Sequence, residues 1–173
     1  GKHASRDVAL YGVVDLDGDL VLEQANATQS QLQNNLKNHR GSLTTAMAES
    51  VSAAHQELLR NYPAGGSVSC VGLRGEEIYV ARSGQGVVLY KRQGEIIEPD
   101  LDLVPNDSWL DRFVLQQSDL LLVGTTSLRN VLSSVTQKVV LTAGPDDAAR
   151  RLFLLGQDLP HMSALIVGLW SSA

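Results

Sequence analysis

Ser67-Val68-Ser69-Cys70-Val71-Gly72-Leu73-Arg74-Gly75-Glu76-Glu77-Ile78-Tyr79-Val80-Ala81-Arg82-Ser83-Gly84-Gln85-Gly86-Val87-Val88-Leu89-Tyr90-Lys91-Arg92 is the stretch on which the fold turns. Its hydrophobic period is two, β-branched and aromatic residues are dense, and glycine punctuates it at Arg74-Gly75 and Ser83-Gly84-Gln85-Gly86. Successive side chains of a strand point to opposite faces, and glycine tolerates the backbone of tight turns. The pattern therefore predicts strands at Ser67–Leu73, Glu77–Ser83 and Gly86–Arg92, joined as an antiparallel meander.

Upstream, Pro63-Ala64-Gly65-Gly66 breaks the chain, and before it the period lengthens. Leu43, Met47, Val51, Ala54 and Leu58 recur at steps of three or four, as do Leu32 and Leu36. This spacing lines one face of a helix and predicts two amphipathic helices parted at Gly41-Ser42, with Ser42 as N-cap of the second. Val8-Ala9-Leu10-Tyr11-Gly12-Val13-Val14 reads as a buried strand that delivers Asp15 to its C-terminal end.

Downstream, the region from Asp100 to Asp111 carries Pro105, Asn106 and Asp107 and reads as a loop, after which Arg112–Leu115 resumes an extended pattern. Leu120–Val123 is a core strand. Ser127–Ser134, with Leu128, Val131 and Leu132, and Asp146–Leu155, with Ala149, Leu152 and Leu155, read as helices, the second stopped by Gly156. Ser163–Trp170 is a last strand. The order of strand, helix pair, several strands, helix pair and strand predicts a layered α+β domain with antiparallel sheets rather than repeated βαβ units. No internal repeat or low-complexity tract interrupts it.

A chain of 173 residues, 43% hydrophobic and 19% charged, suits one globular domain spanning 1–173. The apolar run Ala164–Trp170 is far shorter than the ~20 residues of a membrane helix, and Gly1–Asp7 has no hydrophobic signal core, so no membrane insertion is expected. With a net charge of −5, a pI near 5.3 and scattered basic residues, the chain offers no field for nucleic acid. The single cysteine, Cys70, lies in an apolar run and reads as core, and without a disulfide framework or cysteine metal site a reducing, cytoplasmic location is expected.

Five elements carry a family resemblance. Gly12-Val13-Val14-Asp15-Leu16-Asp17-Gly18-Asp19 is similar to a strand ending in Asp-Gly-x-Gly-Gly, and Gly66-Ser67-Val68 to a Gly-Ser-Thr strand start. Ile78–Val87 resembles a hairpin around Gly-Asp-Ser-Arg, and Ser118–Leu128 a strand leading into Ser-Asp-Gly-Leu. Pro160–Val167 resembles a closing Asp-Asp/Asn-x-Ser/Thr strand. In this order the elements resemble the metal-dependent protein phosphatases, the PPM or 2C-type family. The resemblance implies a four-layer α-β-β-α sandwich of two antiparallel sheets, each covered by a helix pair, here shortened at the N-terminus.

In that family two divalent metals sit at one edge of the sandwich, held by aspartates and waters, and a bridging hydroxide attacks the phosphate of phosphoserine or phosphothreonine. Asp15 is the one retained ligand position, where the bridging carboxylate would stand. The other acidic positions fall on Gln85, Thr126 and Pro160, the last beside His161, and Arg6 and Asp7 do not match the spacing of the family's arginine and acidic residue. Mg²⁺ and Mn²⁺ take anionic oxygen ligands, and one charge pair at ~4 Å contributes ~4 kcal/mol even at an effective dielectric near 20. Losing two such ligands predicts no stable dinuclear site, no cofactor and no catalytic residues. The expected role is that of a pseudophosphatase, a regulatory module that binds a protein partner or a phosphorylated protein segment.

Three other chemistries run through the same residues. A metal-dependent serine/threonine phosphatase with a reduced Mn or Mg site would use Asp15 with Asp17, Asp19 or Asp119; Asp119, seven residues before Thr126, belongs at the far end of its strand. Val13–Val21 also resembles the first motif of haloacid-dehalogenase-type phosphatases, with Asp15 as nucleophile and Asp17 as general acid, but Asp19 replaces the threonine and the meander replaces a parallel sheet. Asp15, Asp17 and Asp19 alternate like the start of an EF-hand loop, yet Leu20 and Asn26 stand where glycine and glutamate are required. The plain alternative is an acidic turn after a strand. His3, His39 and His55 read as surface or core-edge residues, and the resemblance puts His161 near the metal edge. Trp109, with Leu110 and Leu103, reads either as an exposed apolar patch or as packed on the sandwich.

Overall fold

A computed structural model describes residues 9–15, 21–61, 66–99, 108–159 and 162–169. Their order is β1 (Ala9–Asp15), α1 (Val21–Asn38), α2 (Leu43–Asn61), β2 (Ser67–Arg74), β3 (Glu77–Gly84), β4 (Val87–Arg92), β5 (Glu95–Ile97), β6 (Ser108–Val114), β7 (Leu120–Gly124), a 3₁₀ turn (Thr126–Asn130), α3 (Ser134–Val140), α4 (Pro145–Gly156) and β8 (Ala164–Gly168). One sheet has the order β1-β2-β3-β6 and the other β5-β4-β7-β8. Every pairing is antiparallel. This excludes the haloacid-dehalogenase reading, which needs a parallel sheet wound with helices on both faces.

Strand alternation builds three apolar layers. Val71, Ile78, Val80, Val88, Leu121 and Val123 fill the space between the sheets. The opposite residues of the first sheet, Val68, Cys70, Tyr79 and Ala81, pack against Leu32, Met47, Val51, Ala54 and Leu58 of α1 and α2. Leu89, Leu120 and Leu122 of the second sheet pack against Leu128, Leu132, Val140, Ala148 and Leu152. Each fully buried aliphatic side chain of this kind contributes about 1.5–3 kcal/mol, so the hydrophobic pattern sets the layering. The result is an α-β-β-α sandwich with one helix pair on each sheet.

Several local readings change. Ser42 does cap α2, its Oγ accepting from Thr45 N at 3.2 Å. The helix expected at Ser127–Ser134 is a 3₁₀ turn followed by α3, because Ser133 starts a new helix by accepting from the Thr136 N–H at 3.3 Å. The extended segment expected at Arg112–Leu115 begins earlier, at Ser108, as the edge strand β6. That strand buries Trp109 against the inter-sheet core, so Trp109 forms no exposed patch; Leu110 is half-buried and Leu103 lies outside the described residues. Cys70 is core, and burial pushes its thiol up to about 12, which leaves it unreactive at neutral pH.

Candidate functional site

The registers of the two sheets bring one end of each together. Asp15 lies opposite Ser67, and Ser67 opposite Gly84. In the other sheet Gly124 is paired with Val87 and with Ala164. The short link from β3 to β4 crosses between the sheets, and Gly86 sits at the junction. A Cβ there would stand 2.8 Å from Ser67 Oγ, 3.1 Å from Gly124 O and 3.2 Å from Ser69 Oγ, so only glycine lets the link pass.

The described side chains at this shared end include hydroxyls and guanidiniums. Ser67 and Ser69 are each 1% exposed and continue the inter-sheet face of Val71. Thr125 is fully buried; its N–H donates to Ser163 O at 3.0 Å and its Oγ1 accepts from Ser163 N–H at 3.3 Å, tying β7 to the entry of β8. Arg82 follows Ile78 and Val80 on the inward face of β3 and is only 4% exposed. Its Nη1 donates to Gly86 O at 2.9 Å, and its guanidinium carbon lies 5.8 Å from the centre of the Trp109 ring. Arg129 reaches the same carbonyl from the 3₁₀ turn, with Nη2 3.1 Å from Gly86 O, Nε 2.8 Å from Gln85 O and Nη1 2.5 Å from Glu98 Oε1. The link bearing Gln85 and Gly86 is thus clamped by two arginines.

No protein-family model and no curated protein matches the sequence. Solved structures match it in fold. PstP of Mycobacterium tuberculosis, a serine/threonine phosphatase, superposes with a TM-score of 0.68 at 14% identity, over 97% of this chain and 94% of that chain. The serine/threonine phosphatase of S. agalactiae gives 0.67 at 19% identity over 94% and 88%. PppA, a key regulatory component of the T6SS in Pseudomonas aeruginosa, gives 0.65 at 17% identity over 92% and 85%. The fold is that of the PPM-type serine/threonine phosphatases.

PstP has been solved with two manganese ions, which makes metal the first test of this PPM-like end. The described residues do not fit such a pair. No group of three or more His, Cys, Asp or Glu side chains that could hold a metal ion exists among them. Gln85 is an exposed neutral side chain, and Thr126 begins the 3₁₀ turn with a neutral hydroxyl. The backbone register alone places Asp15 at this end, while Asp17, Asp19, Pro160 and His161 lie outside the described residues. A dication needs anionic oxygens, whereas the charged side chains that bond the Gln85–Gly86 link, Arg82 and Arg129, are cationic. Beside this end a cleft of about 280 Å³ opens between β1, α1 and β8, lined by Tyr11, Gly12, Val13, Gln29, Ser163 and Leu165 among others.

Two further polar residues bear on the site. His55 is 1% exposed, with Nε2 donating to Gly66 O at 3.1 Å and Nδ1 2.8 Å from Ser83 Oγ. A carbonyl only accepts, so the neutral ring takes the Ser83 proton at Nδ1 and holds the starts and ends of β2 and β3 together. Its partner is 28 residues away, a distance that helical spacing does not reveal. Burial lowers its pKa, the Gly66 bond only partly opposing this. A depressed folded value means stability is full above the unfolded pKa near 6.5 and is lost as pH falls through the folded value. Stability measured from pH 7 down to pH 5 should therefore fall more steeply in the native protein than in His55→Gln; equal slopes would contradict the assignment. Asp119, in contrast, lies at the opposite end of β7, locked to Tyr90 and Arg92, and is unavailable as a substitute ligand.

Proposed function

We propose that this domain is a pseudophosphatase, a non-catalytic module that keeps the PPM sandwich and uses the converged sheet ends to hold a protein partner or a phosphorylated protein segment. The observation that carries this reading is the chemistry of that end among the described residues, where Gln85 and Thr126 are neutral and buried hydroxyls and the Arg82 guanidinium lie beside them. Hydrolysis by a bridging hydroxide needs two metals held a few ångströms apart. Hydroxyl and guanidinium groups instead donate hydrogen bonds, which suits recognition of a phosphoryl or carboxylate group. The cleft beside β1 and β8 gives such a segment a place to lie. PppA, similar in fold, is described as a regulatory component, which accords with a regulatory role. The chain is read as one phosphatase-2C-like unit acting in the cytoplasm; no helix of the described residues is long and apolar enough to cross a membrane.

With millimolar Mn²⁺ or Mg²⁺ the protein is expected to release no phosphate from p-nitrophenyl phosphate or from a phosphothreonine peptide. Metal-dependent turnover that disappears in Asp15→Asn would overturn the proposal and make the domain a phosphatase with a reduced metal site.

A further inference from the structure

Among the described residues the two sheets end in four edge strands, β1, β6, β5 and β8. An edge strand offers N–H and C=O groups to any passing chain, and proteins blunt it by shortness, charge or cover. Three of the four are blunted: β5 is three residues long and carries an exposed Glu95, β6 carries exposed Asp111 and Arg112, and the Gln29 side chain donates to the Gly12 carbonyl of β1 at 3.0 Å. The fourth, Ala164-Leu165-Ile166-Val167-Gly168, has neither charge nor proline. Its backbone direction is fixed by two bonds, Ser163 O accepting from Thr125 N–H at 3.0 Å and Leu169 O from Ser118 N–H at 2.9 Å. Residues 163, 165, 167 and 169 therefore bond toward β7, and by strand alternation Ala164, Ile166 and Gly168 turn their N–H and C=O groups to the open edge. The apolar surface continues onto α4, which runs antiparallel to β8 with Pro145 beside Gly168 and Gly156 against Met162. Between them opens a cleft of about 420 Å³ lined by Ala149, Phe153, Met162 and Ile166 among others, with Phe153 64% exposed. Asp146 lies on the same flank, and Arg150, exposed and one helical turn further on, carries the opposite charge.

We infer that β8 is a dimerisation edge, at which two copies of this chain pair β8 antiparallel about a two-fold axis at Ile166 and join their four-stranded sheets into one of eight strands. The inference goes beyond the non-catalytic reading and does not depend on it. About that axis the outward groups match: Ile166 pairs with Ile166 of the second copy, Ala164 with its Gly168 and Gly168 with its Ala164, each as a hydrogen-bonded pair. The charges select a second copy as the occupant. Along α4 the flank beside β8 reads acidic at Asp146 and basic at Arg150, and an antiparallel copy reverses that order, so each Arg150 comes toward the Asp146 of the other chain. The Pro145 and Gly156 contacts put the axis near Ala149, a small residue that lets the two helices approach. A charged segment laid on the same edge would instead bury its charges against Ile166 and Phe153.

Sedimentation equilibrium of the native chain at submillimolar concentration should give twice the 18.6 kDa chain mass, falling to the single mass on dilution. A monomer throughout that range overturns the inference. Ala164→Lys puts a charge on the open edge and should weaken association at least about tenfold, and unchanged association in that variant also overturns it. Arg150→Asp should weaken association about tenfold, and Asp146→Arg/Arg150→Asp, with the charges exchanged, should return it to near the native value. An exchange that stays as weak as the single variant overturns the two-fold arrangement. Circular dichroism checks the folding of each variant, and should Ala164→Lys not fold, hydrogen exchange of the native chain reads the edge directly. The Ala164, Ile166 and Gly168 amides should exchange slowly in the dimer and fast after dilution to the monomer. Protection that persists in the monomer assigns the edge to another part of the same chain, such as residues 1–8, and overturns the inference.

Discussion

Asp119→Ala is expected to destabilise the domain by about 3 kcal/mol, because it strips the acceptor from a buried ionic cluster. The Asp119 carboxylate is 2% exposed and accepts from Arg92 Nη2 at 2.6 Å and Nε at 3.1 Å, from the Tyr90 hydroxyl at 2.6 Å and from Gln116 N–H at 2.8 Å. Without it the Tyr90 hydroxyl and the Gln116 amide lose their acceptor. Arg92 is 31% exposed at its side chain and still bonds Val114 O at 2.7 Å, so it turns partly to water and keeps the loss at the lower end of the range for broken buried pairs. Urea denaturation should show a lower midpoint with an unchanged slope. A loss below about 1 kcal/mol would mean the cluster is a surface pair in effect.

The same cluster sets an acid limit. Burial alone would raise the Asp119 pKa, but the Arg92 guanidinium, the Tyr90 hydroxyl and the Gln116 amide together hold it below the ordinary carboxylate value. A depressed folded pKa gives stability that is present above the unfolded value near 3.9 and is lost as pH falls through the folded one. The native protein should therefore lose stability steeply below about pH 4, and Asp119→Asn should flatten that part of the curve.

Gly84→Ala is the second large effect, at about 3 kcal/mol. Gly84 ends β3 with φ +89°, which costs an L residue roughly 1–2 kcal/mol. Its new Cβ would stand 2.7 Å from the carbonyl oxygen of Gly66 and 3.0 Å from the His55 ring. The first is backbone and cannot rotate away, so the overpacking adds a further ~1–3 kcal/mol. For a chain of this size the sum corresponds to a fall in melting temperature of roughly 10 °C. The substitution should also disturb the link that presents Gln85 and Gly86. A melting temperature within a degree or two of the native value would show that Gly66 yields and that the sheet ends are less tightly joined than described.

The layers of this fold are legible in the sequence because period-two and period-3.6 apolar patterns report directly which face is buried. Val71, Ile78, Val80 and Val88 mark the inter-sheet face, and Leu43 through Leu58 the covering helix, without any contact being known. Short and irregular elements leave weaker traces. Glu95–Ile97 is three residues long, too short for alternation to register, and the break between Leu128 and Val140 depends on the Ser133 cap. At the site, the neutral residues Gln85 and Thr126 are legible in the sequence, whereas the burial of the Arg82 guanidinium beside Gly86 is not. Its signal was present, since Arg82 lies in phase with Ile78 and Val80, but an alternating arginine equally suits a strand end open to water. Only the contacts with Gly86 and Trp109 decide between the two. His55 was likewise hidden, its partner Ser83 being distant in sequence.

The central claim is that the converged sheet ends hold no pair of metal ions. The most direct measurement is an anomalous difference map from crystals soaked in millimolar Mn²⁺. The account predicts no manganese peak near Asp15, Ser67 and Gly86, with the Arg82 guanidinium ordered against Gly86 O; two peaks a few ångströms apart at that position would contradict it.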